Sequence, residues 1–86
     1  MTETYELLIT TRDGQIVAGE ISLTDGKLKS SPKKGHKGLV KEIRNAKTII
    51  GEQRFDPAKD PEGWIKSLPD AYSGSYFRVR KKSGGK

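Results

Sequence analysis

The 86-residue chain contains no cysteine and a single histidine, His36. Without cysteine the chain forms no disulfide, offers no thiolate to a metal ion and has no cysteine nucleophile. His36 has no acidic partner at a spacing that indicates general acid–base catalysis or metal binding. We therefore predict no catalytic residue, no metal site and no cofactor, and we expect a protein that is not an enzyme.

Long apolar runs are also missing. No run approaches the roughly 18 consecutive apolar residues that a membrane span needs, so we expect no membrane partner. The first residues, Met-Thr-Glu-Thr, are acidic where a signal peptide is basic. Together with the lack of cysteine, this pattern favours a cytoplasmic location.

Apolar residues are few, and they are grouped along the chain. Leu, Ile, Val and Phe account for 18 of the 86 residues, close to the lower limit of about 20% for folded proteins. A chain of this length forms one hydrophobic core. We predict a single small domain over residues 1–80 and a disordered basic tail over residues 81–86.

A β-hairpin is predicted at the N-terminus. Two runs rich in β-branched residues, 4–12 and 15–23, flank Asp13-Gly14, a pair typical of two-residue hairpin turns. With Asp13-Gly14 as the loop, both faces of the hairpin carry apolar side chains. Either a bulge near Gly19 shifts the register, or both faces are partly covered.

The rest of the chain predicts an α+β fold. Lys27–Lys29 can begin a short third strand, apolar residues at helical spacing predict a long helix over residues 38–50, and Asp60-Pro61-Glu62 marks the start of a short helix that Pro69 ends. Phe77 and Val79 share one face of a final strand. The expected order is β-β-(β)-α-α-β: a small antiparallel sheet packed on one long and one short helix, with the last strand at an edge beside the hairpin.

Positive charge is distributed regionally. The net charge is +6, and lysine and arginine crowd into the middle of the chain and its last nine residues, whereas the first 26 residues hold only Arg12. A basic surface of this kind is typical of proteins that bind polyanions. It also occurs as an ordinary solvated surface on a small domain.

Two groups of residues are candidates for nucleic-acid binding. Tyr76, Arg78 and Arg80 alternate on the last strand, where an aromatic ring stacks on a base and arginines neutralise phosphates. Lys37, Lys41 and Arg44 lie on one side of the predicted first helix and extend that surface if the helix lies beside the strand. The candidate contacts are Tyr76, Arg78, Arg80, Lys37, Lys41 and Arg44.

A lysine- and glycine-rich loop precedes the first helix. Backbone amides at a helix N-terminus bind anions, and glycine permits their close approach. The candidate anion-binding residues are Lys33, Lys34, Gly35, His36, Lys37 and Gly38. The spacing differs from that of the Walker A phosphate loop, and a flexible lysine-rich loop is the alternative interpretation.

A protein-binding module is the alternative to a nucleic-acid-binding domain. One apolar face of the hairpin, with Tyr5, Leu7, Ile9 and Ile16, suits a protein partner if it stays uncovered. An edge strand of the hairpin also suits a homodimer.

Overall fold

The structure is a computed structural model that describes residues 2–74 and 76–83. Six strands and two helices follow one another in these residues. They are β1 (Thr2–Thr11), β2 (Gly14–Thr24), β3 (Lys27–Pro32), α1 (Lys37–Asn45), β4 (Thr48–Ile50), β5 (Gln53–Phe55), α2 (Pro61–Ala71) and β6 (Phe77–Ser83).

Four strands form an antiparallel sheet in the order β3-β2-β1-β6. β4 and β5 form a separate two-stranded sheet, and α1 and α2 pack on one face of the larger one. The fold is therefore α+β. No helix in the described part of the chain is long and apolar enough to cross a membrane.

The turn between β1 and β2 differs from the prediction. Thr11 pairs with Gly14, so Arg12 and Asp13 form the loop instead of Asp13 and Gly14. The Thr11 hydroxyl fixes this turn: its Oγ1 accepts a hydrogen bond from Asp13 N at 3.2 Å and donates to Gly14 O at 2.7 Å. Gly14 takes a φ of +117°, which glycine adopts without a steric penalty.

A β-bulge changes which side chains of β2 share a face with those of β1. Leu8 pairs with Val17 and Leu7 with Gly19, which leaves Ala18 as an extra residue in β2. Because side chains alternate along a strand, this one-residue shift places Ile21 on the same face as Leu7. Of the two alternatives, the bulge near Gly19 is therefore confirmed. Leu8 and Val17 lie on the opposite face, where Leu8 is also buried.

The Asp-Gly hairpin turn occurs at the next connection. Thr24 pairs with Lys27, so Asp25 and Gly26 form a two-residue loop, and their φ angles are +50° and +78°. Positive φ at both central positions is the requirement of a type I′ turn. The turn leads into β3, which begins at Lys27, as the sequence predicts, and continues to Pro32.

The relative lengths predicted for the helices are wrong. α1 has nine residues and ends at Asn45, whereas α2 has 11 and continues past Pro69 to Ala71. The β-branched residues after α1 instead form β4, as expected for residues that fit a strand. Pro69 lies in the last turns of α2, where a missing N–H removes only one helical hydrogen bond.

The core lies between the two helices and the sheet. Trp64, Ile65 and Leu68 of α2 and Val40 and Ile43 of α1 are buried against the sheet. The Trp64 indole Nε1 donates to Ala46 O at 2.8 Å, which joins α2 to the end of α1. Trp64 is fully buried.

The last strand extends beyond the predicted domain boundary. β6 runs to Ser83, so residues 81–83 belong to the sheet and not to a disordered tail. Lys81 pairs with Tyr5 in β1, and this pairing holds the segment in place. Residues 84–86 of the predicted tail lie outside the described residues.

Candidate nucleic-acid interface

Arg78 and Arg80 lie on the sheet face opposite the helices, which we call the outer face. They pair with Leu8 and Glu6 of β1, and they alternate with Phe77 and Val79, which pack in or against the core. Tyr76 precedes β6 and is 72% exposed. Its carbonyl accepts a hydrogen bond from Thr10 N at 2.8 Å, so Tyr76 lies beside the β1–β2 turn.

Most of the positive charge on β6 is neutralised by carboxylates of the sheet. Arg80 donates to Glu6 Oε1 from both Nε (3.1 Å) and Nη2 (2.7 Å). The Nζ atom of Lys82 lies 2.6 Å from Glu20 Oε2, and the Nζ atom of Lys81 lies 3.8 Å from Glu3 Oε1. Three of the four cations of β6 therefore have an acidic partner.

These pairs compensate for an unfavourable juxtaposition inside the sheet. Glu6 and Glu20 lie directly opposite each other on β1 and β2, and like charges at such positions destabilise a sheet. The Glu6 side chain is only 12% exposed. Arg80 and Lys82 supply the counter-charges, so they have a structural role that the sequence analysis did not identify.

Arg78 is the remaining cation of β6. Its Nε donates to Gly74 O at 3.0 Å, and it has no carboxylate partner among the described residues. It lines a groove of about 480 Å³ that runs past Leu8, Tyr72 and Val79. One unpaired guanidinium is a small part of the positive charge that was expected here.

The helical candidates lie on another part of the molecule. Lys37, Lys41 and Arg44 belong to α1, which packs on the helix-covered face against β2 and β3. β3 is the edge strand farthest from β6. The six candidate contacts therefore form two separate groups, on opposite faces and near opposite edges of the sheet.

The candidate anion loop connects β3 to α1. His36 occupies the N-cap position without a side-chain hydrogen bond, and the first turn of α1 contains no acidic residue. Gly35 has a φ of +88°, and His36 N donates to Lys33 O at 3.0 Å in a tight turn. In α2, by contrast, Asp60 Oδ1 accepts from Gly63 N at 3.0 Å.

A single segment accounts for the whole net positive charge of the chain. Residues 27–47 contain eight lysines and arginines and one carboxylate, Glu42, which together give +7, while the other nine cations and ten carboxylates give −1. We call this segment the basic edge, because it forms edge strand β3, the loop and α1. Its cations are Lys27, Lys29, Lys33, Lys34, Lys37, Lys41, Arg44 and Lys47.

The cations of the basic edge are available to a ligand. None of the eight has an ion-pair partner among the residues that the structure describes. Seven are exposed, and Arg44 is half-buried. The sequence shows the lysines of this segment, but it does not show that β3 and α1 lie side by side. The close approach of Gly19 to Val40 and Pro32 reveals that arrangement.

Most of the apolar face proposed for a protein partner is covered. Tyr5 and Leu7 are buried beneath the helices, and Ile9 packs against the same core. Ile16 alone in this group is exposed, at 41%. β6 pairs with the outer edge of β1, and β3 pairs with the outer edge of β2 from Gly19 to Thr24. Residues 14–17 of β2 have no strand paired on that side among the described residues.

Two tyrosines have raised pKa values. Burial raises the pKa of Tyr5 above its usual value of 10.0, and the nearby Glu3 carboxylate, which accepts a hydrogen bond from the Tyr5 hydroxyl at 3.5 Å, raises it further. Burial and then the charge of Glu42 raise the pKa of Tyr72. Both phenols are therefore neutral at physiological pH, and neither acts as an anion.

The described residues contain no group of three His, Asp or Glu side chains arranged to hold a metal ion. Comparison of the chain with protein-family models, with curated proteins and with solved structures finds no significant match.

Proposed function

We propose that this protein is a small binding module that contacts the phosphate backbone of nucleic acid through its basic edge. The observation that carries the proposal is the localisation of charge: the segment 27–47 has a net charge of +7, and its cations lack acidic partners among the described residues. Lysine and arginine that neutralise phosphates release bound counterions, which drives association.

The contrast with β6 supports the choice of surface. Cations that are already paired gain less from a phosphate, because the existing ion pair must be broken first. Lys81 and Lys82 each have a carboxylate within 4.0 Å, and so does Arg80. The proposed contacts therefore lie on β3, the loop and α1, and the residues of the last strand contribute little.

Two triple variants with the same change in charge test the proposal. K33A/K34A/K37A removes three cations of the basic edge, and K66A/K81A/K82A removes three cations that are ion-paired. Binding to a fluorescein-labelled mixed-sequence DNA is measured by fluorescence anisotropy over a range of salt concentrations. Each lost phosphate contact reduces the slope of log K against log salt by about 1.

We expect K33A/K34A/K37A to weaken binding at least ~10-fold and to reduce the slope by ~2–3. The control triple should lose less than ~3-fold, since its cations are engaged within the protein. Equal losses in the two variants would show that only net charge matters. Binding that does not respond to salt would contradict the electrostatic account altogether.

A further inference from the structure

The groove that Arg78 lines has the size and the lining of a small-molecule site. Its volume of about 480 Å³ lies within the range of about 300–1,000 Å³ that is typical of ligand pockets. Leu8, Pro69 and Tyr72 contribute apolar residues to the lining, alongside a few polar ones. Small-molecule sites usually have this composition, because a few polar groups orient a mostly apolar ligand.

The groove has an uncompensated positive charge. Two arginines line it, and no Asp or Glu lines it among the described residues. Arg80 is already paired, since its Nη2 lies 2.7 Å from Glu6 Oε1. Arg78 has no carboxylate partner in the part of the chain that the structure describes. One free positive charge suits an anion with one negative charge.

The backbone fixes the direction of the Arg78 guanidinium. Its Nε donates to Gly74 O at 3.0 Å, which leaves its two Nη groups without a carboxylate among the described residues. These groups form a planar fork that matches the two oxygens of a carboxylate. Because the guanidinium is held before a ligand arrives, the side chain loses little conformational freedom when the ligand binds.

The edge of β6 beside the groove is already paired. Val79 N donates to Tyr72 O at 3.2 Å, and Ser73 forms an antiparallel bridge with Arg78. A peptide that bound here as an added strand would need the same backbone groups of β6. The groove therefore favours a small molecule over an extended peptide.

We propose that this groove binds a small organic acid, with the carboxylate on the Arg78 guanidinium and the apolar part along Leu8, Pro69 and Tyr72. The site is separate from the basic edge, since β3 and β6 are opposite edges of the sheet. It does not depend on nucleic-acid binding, so the failure of either proposal leaves the other standing.

NMR titration of the nitrogen-15-labelled protein with 4-phenylbutanoate tests the proposal, with 4-phenylbutanamide as the neutral counterpart. We expect 4-phenylbutanoate to bind with a Kd of about 1–3 mM, as is usual for a ligand of about 12 non-hydrogen atoms. It should shift the amide signals of Leu8, Ser73 and Arg78. The neutral amide should bind at least ~10-fold more weakly, because it lacks the charge-assisted hydrogen bonds.

Variants of the β6 cations sharpen the test. Arg78→Gln should weaken binding of 4-phenylbutanoate at least ~10-fold, and Arg78→Lys at least ~3-fold, because an ammonium group keeps the charge without the fork. Lys82→Gln is the matched control, since it removes the same charge from the same strand. Lys82 is paired with Glu20 and does not line the groove, so the control should change the Kd by less than ~2-fold. Amide signals that stay in place outside the groove show that each variant is folded.

The outcomes distinguish the ligand and the site. Equal affinities for 4-phenylbutanoate and its amide, or equal losses in Arg78→Gln and Lys82→Gln, overturn carboxylate recognition by Arg78. Inorganic phosphate, or the peptide acetyl-Ala-Val-Phe with a free carboxylate, overturns the assignment to a small organic acid if it shifts the same signals and binds more tightly. Shifts confined to the basic edge overturn the site itself.

Discussion

At Gly19, α1 and the β2–β3 pair approach each other closely. A β-carbon at this position would lie 2.8 Å from Val40 Cγ2 and 3.0 Å from both Pro32 Cα and Ser31 O. Two of these three atoms belong to the backbone of β3, which side-chain rotation does not move. The absence of a side chain at Gly19 is therefore what allows the helix and edge strand of the basic edge to pack together.

Gly19→Ala should destabilise the protein by about 1–3 kcal/mol, the usual cost of overpacking a core. Urea denaturation followed by Trp64 fluorescence measures the change. Gly38→Ala is the matched control, because a β-carbon at Gly38 meets no atom within 4 Å and φ there is not positive. The control should be stabilised by about 0.4–1 kcal/mol. Equal effects at the two positions would contradict the role assigned to Gly19.

Strand β6 supplies counter-charges to the sheet. Glu6 and Glu20 face each other across β1 and β2, and the cations that neutralise them come from β6, more than 60 positions later in the sequence. The carboxylate of the Glu6–Arg80 ion pair is more buried than that of the Glu20–Lys82 ion pair. The Glu6 side chain is 12% exposed and the Glu20 side chain 27%. The two pairs should therefore differ in their contribution to stability.

Arg80→Ala should destabilise the fold by about 1–3 kcal/mol, because the Glu6 carboxylate then loses both of its donors in a largely buried position. Lys82→Ala, which breaks the more exposed pair, should cost at most about 1 kcal/mol. The free energies of unfolding in urea give both values. Adding Glu6→Gln to Arg80→Ala should recover part of the loss, and a double variant less stable than Arg80→Ala would disprove this explanation.

The whole molecule has an uneven distribution of charge. The basic edge concentrates eight cations within 21 residues, whereas the rest of the protein is almost neutral and contains the four ion pairs found among the described residues. Like charges that lie within about 10 Å of one another repel appreciably at low ionic strength. Repulsion among the cations of the basic edge therefore destabilises the free protein, and a bound polyanion or added salt weakens this repulsion.

We expect the melting temperature to rise between about 20 mM and about 300 mM NaCl, as screening weakens this repulsion. A gain of about 0.5–1 kcal/mol corresponds to roughly 2–8 °C for a domain of this size. Differential scanning calorimetry measures the shift. The rise should be smaller in K33A/K34A/K37A than in the wild type and undiminished in K66A/K81A/K82A. A melting temperature that falls with salt would mean that the ion pairs outweigh the repulsion.

Local patterns in the sequence predict several elements correctly. Alternating β-branched residues identify β1 and β2, and Asp60-Pro61 identifies the start of α2, because the interactions involved lie within a few residues. The apolar spacing of Val40 and Ile43 likewise identifies the buried side of α1. The class α+β follows from these elements and their order.

The sequence by itself determined that an α+β domain forms and that its positive charge is regional. Tertiary structure decided the end of α1 at Asn45 and the separation of the two candidate groups, since each depends on contacts between residues distant in sequence. It also decided which cations are free: Arg80 and Lys82 meet carboxylates of β1 and β2, while those of the basic edge meet none among the described residues. Charge pairing across a sheet depends on strand order and register, and a list of residues contains neither.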